Sequence, residues 1–263
     1  MPRAMLVVAH PDDEVIAIGG RIRRFRWAHF VHVTDGAPLN QQDSRHQGFS
    51  TLDAYRSARR DEFRRALSEC GLSRVSFDCL AFSDQEASLH LADLTRKIAS
   101  LILQHSPEVV LTHPYEGGHP DHDACAFAVH QAIHQLVSRN IQPPLVAETA
   151  FYHLGPFGIE TGCFLNGSKP KDEITYMLTS REQTQKQRLL RCFSTQRATL
   201  QYFSTARERF RLAPDYDFTT PPHCPPVFYD GYPWGMNSFR FCELAKEALA
   251  AMRFQREEVM GPR

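Results

Sequence analysis

No cysteine pair in this chain has Cys-x-x-Cys spacing, although there are 7 cysteines, at positions 70, 79, 125, 163, 192, 224 and 242. That absence removes zinc knuckles and thioredoxin-like redox motifs. An odd number of dispersed thiols fits a reducing compartment, where cysteine packs as a small apolar residue. Net charge is missing as well, since 30 Lys+Arg balance 30 Asp+Glu. Nucleic-acid and anionic-membrane binders show a basic excess, so neither partner is expected. No apolar run approaches the roughly 18 residues of a membrane span. The run from Met5 to Ala9 is too short for the apolar core of a secretion signal, so cytoplasmic residence is the expectation. Asn166-Gly167-Ser168 has the form of a glycosylation sequon, and without secretion it reads as a turn. Also absent are the P-loop, His-Glu-x-x-His and Gly-x-Ser-x-Gly patterns, which sets aside three common enzyme signatures.

What is present is ordinary globular material: 42% hydrophobic and 23% charged residues in a chain of 263. The length suits one α/β domain over residues 1–263, with a core in 1–142 and a C-terminal elaboration in 143–263. Apolar strand-like runs (5–9, 30–34, 75–82, 108–112) alternate with helical patterns (14–26, 53–70, 91–104, 121–137). Asp35-Gly36-Ala37-Pro38 reads as a turn and 37–52 as a long loop. This rhythm predicts an α/β fold, a Rossmann-like parallel sheet with helices on both faces. Beyond Pro143-Pro144 the rhythm weakens, with strands expected at 146–153 and 174–178 and helices at 180–193, 196–210 and 238–253. Between them, 214–234 is rich in Pro, Tyr and Phe.

In a parallel sheet of this kind, ligands bind beyond the carboxyl ends of the strands. Two clusters fall there. His10-Pro11-Asp12-Asp13-Glu14 follows the first strand, and His119-Pro120-Asp121-His122 follows the fourth. Catalytic zinc takes three nitrogen or oxygen ligands and keeps one position for water. His10 and Asp13, three apart across a turn entering a helix, can reach one point, and the second cluster can complete a His/Asp/His set. Either cluster alone could be an Asp-capped turn, but two after strand runs make that reading weak. His113, directly after Thr112, is a candidate pocket residue. The remaining histidines read as surface or core.

These residues resemble the PIG-L/LmbE family of zinc-dependent N-acetylglucosaminyl deacetylases. The likeness rests on Ala9-His10-Pro11-Asp12-Asp13-Glu14, Gly19-Gly20, Arg59-Arg60-Asp61-Glu62, Phe82-Ser83-Asp84, Thr112-His113 and His119-Pro120-Asp121-His122, and covers roughly residues 4–135. It implies His10, Asp13 and His122 as metal ligands and Asp12 as general base. His119 would protonate the departing amine or polarise the carbonyl, with Asp121 orienting its ring. Arg59 and Asp84 would contact sugar hydroxyls. One departure concerns the oxyanion. Some members carry tyrosine two residues before the first histidine of the second motif, where this chain has Gly117. Tyr115 or a C-terminal residue would then have to serve.

The implied activity is hydrolysis of the N-acetyl group of an amino-sugar conjugate, giving acetate and a free amine. The cofactor would be Zn²⁺ or Fe²⁺, because a His₂-carboxylate set suits both. The partner would be a small-molecule amino sugar conjugate, and self-association is left open. Two other readings compete. A nucleotide-cofactor enzyme is disfavoured because carboxylates replace the Gly-x-Gly-x-x-Gly phosphate cradle. A non-catalytic metal or carbohydrate binder would need none of Asp12, His119 and Asp121. The stretch from Phe228 to Trp234 either stacks on substrate or packs a core or contact, and packing is the favoured expectation.

Overall fold

The short apolar runs at 4–8, 29–34 and 109–112 become strands because they are covered on both sides by helices whose apolar residues recur at helical spacing. The computed structural model describes residues 3–72, 75–165 and 173–260, so the sequon at 166–168 lies outside the described residues. Seven strands form the main sheet: β1 (Ala4–Val8), β2 (His29–Pro38), β3 (Ser76–Asp84), β4 (Val109–Thr112), β5 (Leu145–Thr149), β8 (Glu173–Met177) and β9 (Arg207–Leu212). Their order is β3-β2-β1-β4-β5-β9-β8. β1 to β5 run parallel, and β9 pairs antiparallel with both β5 and β8. β6 (Tyr152–Gly155) and β7 (Gly158–Thr161) make a separate antiparallel hairpin. The sheet is therefore mostly parallel, as the β-α rhythm implies, with an antiparallel margin supplied by the second half.

The helices are α1 (Asp13–Ile18), α2 (Gln42–His46), α3 (Leu52–Glu69), α4 (Leu91–His105), α5 (Pro120–Ser138), α6 (Ser180–Leu190), α7 (Arg197–Leu200) and α8 (Ser238–Met260). Alternation along β1 divides the core. Met5 and Val7 meet Leu94 and Ile98 of α4, Phe127 of α5 and Phe241 of α8. Leu6 and Val8 meet Ile18, Phe63 of α3 and Leu189 of α6 on the opposite face. Each fully buried side chain of this size contributes about 1.5–3 kcal/mol, so both layers are strongly held. The chain moves from β1 outward to β3, then returns to β4 on the other side of β1. The crevice at that reversal lies above the ends of β1 and β4.

Several boundaries differ from expectation. The helix expected at 14–26 stops at Ile18, where Gly19-Gly20 interrupts it, and resumes as a 3₁₀ turn at Ile22–Phe25. Those glycines are needed for packing, because a Cβ on Gly20 would strike Leu178 and one on Gly19 would strike Val15. Asp35–Pro38 is strand, with register shifts against β3, instead of a turn. The long loop carries α2. The 146–153 strand is two strands, β5 and β6. The helix expected at 196–210 is a clear misreading: a 3₁₀ turn (Ser194–Gln196) and α7 end by Leu200, and β9 begins at Arg207. Its buried positions are Glu208 and Arg211, charged residues that hydropathy places outside. They are admitted because Glu208 pairs with Lys186 at 3.3 Å and Arg211 with Glu148 at 2.8 Å.

Candidate active site

The turn after β1 is held in an uncommon backbone shape. Asp12 has φ 129° and ψ −27°, a conformation that L residues rarely adopt and that costs of order 1–3 kcal/mol. Its N–H donates to Glu14 Oε2 (3.1 Å), and its carbonyl accepts from Val15 and Ile16 as α1 begins. Glu14 is itself fixed by His32 Nε2 at 3.0 Å. The result aims the side chains of His10, Asp12 and Asp13 into one cleft.

Asp13 Oδ2 is the hub. It accepts the His10 backbone N–H at 2.8 Å and lies 3.4 Å from His10 Nδ1 and 3.5 Å from His122 Nε2. Tetrahedral zinc with bonds of about 2.1 Å separates its ligand atoms by about 3.4 Å, so these spacings suit a common cation. His10, Asp13 and His122 are all buried, with one ligand atom from each within 4.8 Å of the others. The donor set therefore fits a divalent metal. Burial alone would push the Asp13 carboxyl up, but the rings of His122, His113 and His10 outweigh it and hold it well below the carboxylate range.

The other edge of the His10 ring meets two carboxylates: Nε2 lies 3.1 Å from Asp84 Oδ1 and 3.3 Å from Asp121 Oδ2. A proton on Nε2 bonded to a carboxylate leaves the Nδ1 lone pair facing Asp13 and the prospective ion, the usual second contact of a metal-binding histidine. Burial opposes charge on His10, yet Asp84, Asp121 and Asp13 together hold its pKa well above the usual value. Asp121 is anchored by the N–H groups of Gln85 (2.6 Å) and Ala87 (3.0 Å). Its Oδ2 is 3.8 Å from His119 Nδ1, farther than from His10.

Arg59 reaches from α3 and donates to Asp12 Oδ2 at 3.1 Å, with both side chains buried. It passes tightly over Gly36, where a Cβ would lie 2.7 Å from its Nε. Burial lifts the Asp12 carboxyl to about 7, with Arg59 pulling against that rise. His119 caps α5 in an extended conformation, and its Nδ1 accepts the Asp121 N–H at 3.2 Å. The neutral ring then carries its proton on Nε2. Burial first, and the neighbouring His10 second, push the His119 pKa well down, so the neutral form prevails.

These groups line a cavity of about 360 Å³, within the usual range for small-molecule sites. His10, Asp12, Asp13, Arg59, Asp84, His119 and His122 are on its wall, whereas Asp121 lies behind them. His113 is beneath the wall, its Nε2 accepting the Ala9 N–H (3.0 Å) and its ring stacked 3.8 Å from that of His122. Tyr115 does not enter, because its hydroxyl donates to the Thr220 carbonyl at 2.9 Å. The C-terminal half adds wall residues that no spacing announces: Tyr152, Gln196, Thr199, Phe203, Tyr232 and Trp234. The aromatic stretch is thus divided between both readings. Tyr229 is fully buried in the core, while Trp234 lies 4.8 Å from the His119 ring and stacks on Tyr232. Gly117 is held under Val227, with its carbonyl accepting the Phe228 N–H at 2.9 Å.

The chain is similar to known proteins in sequence and in fold. Residues 5–133 match the family model described as PIG-L, GlcNAc-PI de-N-acetylase. A Bacillus cereus protein named probable N-acetyl-alpha-D-glucosaminyl L-malate deacetylase 2 is 32% identical over 142 residues, 52% of this chain and 63% of that relative's length. The chain thus matches under two thirds of that relative. Among solved structures, the zinc-inhibited form of teicoplanin deacetylase Orf2 superposes with a TM-score of 0.61 at 18% identity, covering 80% of this chain and 97% of the other. The hydratase GalB of Pseudomonas putida superposes at 0.55 with 19% identity, covering 82% and 98%. Structural likeness at these identities shows the shared fold.

Proposed function

We propose that the chain, whose residues 5–133 match the PIG-L family model, is a metal-dependent N-deacetylase of an N-acetylglucosaminyl-type conjugate. One observation carries this reading: His10 and His122 each lie at tetrahedral-edge spacing from Asp13, beside Asp12 and His119 on one cavity wall. His10, Asp13 and His122 would hold the ion. When bound, zinc or ferrous iron would supply Lewis acidity that acidifies water and polarises an acetamide carbonyl.

The chain's own groups would do the rest. Asp12, kept near neutrality by burial and oriented by Arg59, would take the proton from the attacking water. A nearby dication would lower its pKa and keep it ionised. His119, neutral with its proton on Nε2, would donate a hydrogen bond to the carbonyl oxygen as charge develops there. This makes polarisation of the carbonyl the role of His119, and the proton that Asp12 takes from water would be the one delivered to the departing amine. Asp121 would act from behind the wall, fixing His10 through Nε2 and His119 through its backbone N–H. Asp84 and Arg59, both on the wall, would still present polar atoms to sugar hydroxyls. Tyr232 and Trp234 would offer aromatic faces to the ring or its substituent.

The test is amine release from a panel of N-acetylglucosaminyl compounds, comparing as-purified, chelated and Asp12→Ala protein. Chelator-sensitive release that is lost in the variant is expected. Release that survives both treatments would overturn the proposal.

A further inference from the structure

We propose a second metal site, distinct from the first, in which His153, Glu160 and Cys163 bind one zinc-like divalent ion on the β6–β7 hairpin. His153 and Glu160 are directly opposed in the hairpin register, so their side chains share a face. Cys163 follows two residues after β7, where Gly162 (φ 66°) turns the chain back. One ligand atom from each of the three lies within 4.8 Å of the others. His153 Nε2 is 3.6 Å from Glu160 Oε2, and Cys163 Sγ is 3.8 Å from the same oxygen. Zinc bonds of about 2.0–2.3 Å to nitrogen, oxygen and sulfur put tetrahedral neighbours about 3.4–3.7 Å apart. A nitrogen, oxygen and sulfur set of this kind selects zinc and similar borderline-soft ions over magnesium or calcium.

His153 supplies the independent observation. It is 3% exposed, and its Nδ1 has no hydrogen-bond partner among the described residues. Both ring nitrogens face carboxylates at 3.6 Å, Nε2 to Glu160 and Nδ1 to Glu116, each beyond hydrogen-bond length. A buried ring left this way costs free energy and calls for an ion or a partner. An ion on Nε2 resolves it, because the proton then resides on Nδ1 and points to Glu116, whose Oε2 also lacks a hydrogen-bond partner among the described residues. That repeats the carboxylate, histidine and metal relay of His10. Room for the Glu160 carboxylate exists because residue 155 is glycine, where a Cβ would collide with it. Binding would release the Cys163 thiol proton to solvent. Strand alternation sends Tyr152 into the catalytic cavity and His153 to the opposite side, so this ion would brace the hairpin that carries Tyr152.

Cobalt(II) titration of the full chain tests this. The His10, Asp13 and His122 site has no sulfur, so a near-ultraviolet thiolate-to-cobalt charge-transfer band reports the second site alone. Two cobalt ions per chain and the band are expected. Cys163→Ser should bind one ion and lose the band, Glu160→Gln should bind the band-forming ion at least tenfold more weakly, and Asp13→Ala should keep the band while losing the other ion. A wild-type chain without the band, or a band that survives Cys163→Ser, overturns the proposal. If Cys163→Ser fails to fold, the wild-type and Asp13→Ala spectra still decide it.

Discussion

Asp12 and Arg59 show how a single pair can combine chemistry with fold. Asp12→Ala removes the proposed base but no metal ligand. The expected outcome is a rate loss of roughly 10²–10⁴ with unchanged metal content, checked by steady-state kinetics beside metal analysis. Arg59→Met has a different signature. Burial raises the Asp12 pKa and Arg59 opposes that rise, so removing the guanidinium lifts it further. The base is active when ionised, so the acid limb of the kcat/KM profile should move to higher pH. Breaking a buried ion pair should also lower stability by about 3 kcal/mol, read from denaturant unfolding. At this scale the sequence was informative. The clusters holding His10, Asp13, His119 and His122 were legible because metal chemistry demands particular residue types at strand ends, the roles within them and that of Asp12 being implied by the family resemblance, and all five residues line one cavity. Tyr152 and Gln196 were not, since a wall residue needs only shape and position, which leave no periodic trace, and Trp234 was legible only as the less favoured of two readings of its aromatic stretch.

Among the elements, the hairpin β6–β7 is the most exacting neighbour of the site. A Cβ on Gly118 would collide with the Tyr152 carbonyl, which is backbone and cannot rotate away. Gly118→Ala should therefore cost about 1–3 kcal/mol and displace Tyr152 from the cavity, with KM rising at the same time. Gly231→Ala, where nothing lies within 4 Å, serves as the control and should change stability by under about 0.5 kcal/mol. Thermal unfolding of both variants checks the contrast. The helices α3, α4 and α5 were readable because their apolar residues repeat at helical spacing. β9 was not, because Leu200, Phe203 and Phe210 imitate that spacing while its buried residues are charged. Their partners, Lys186 on α6 and Glu148 on β5, are distant in sequence. Burial licensed by a remote counter-charge is a tertiary fact, and no local window contains it.

For the whole molecule, the proposed metal ligands stand outside the two layers of apolar side chains that make the core. Chelation should abolish activity while far-ultraviolet circular dichroism stays native, with the melting temperature falling only by the lost binding free energy. A chelated chain that unfolds would mean that the metal is structural. None of the helices of the described residues is long and apolar enough to cross a membrane. The insertion of β9 beside β5 has a mechanical consequence. The second half of the chain is hydrogen-bonded into the same sheet as β1 and β4, and Glu62 of α3 grips it again through Ser194 and Thr195. The wall residues Gln196, Thr199 and Phe203 lie between these two anchors, so this side of the cavity is tied to the sheet and cannot swing open as a jaw does. On this side, selectivity among substrates should follow from which shapes enter.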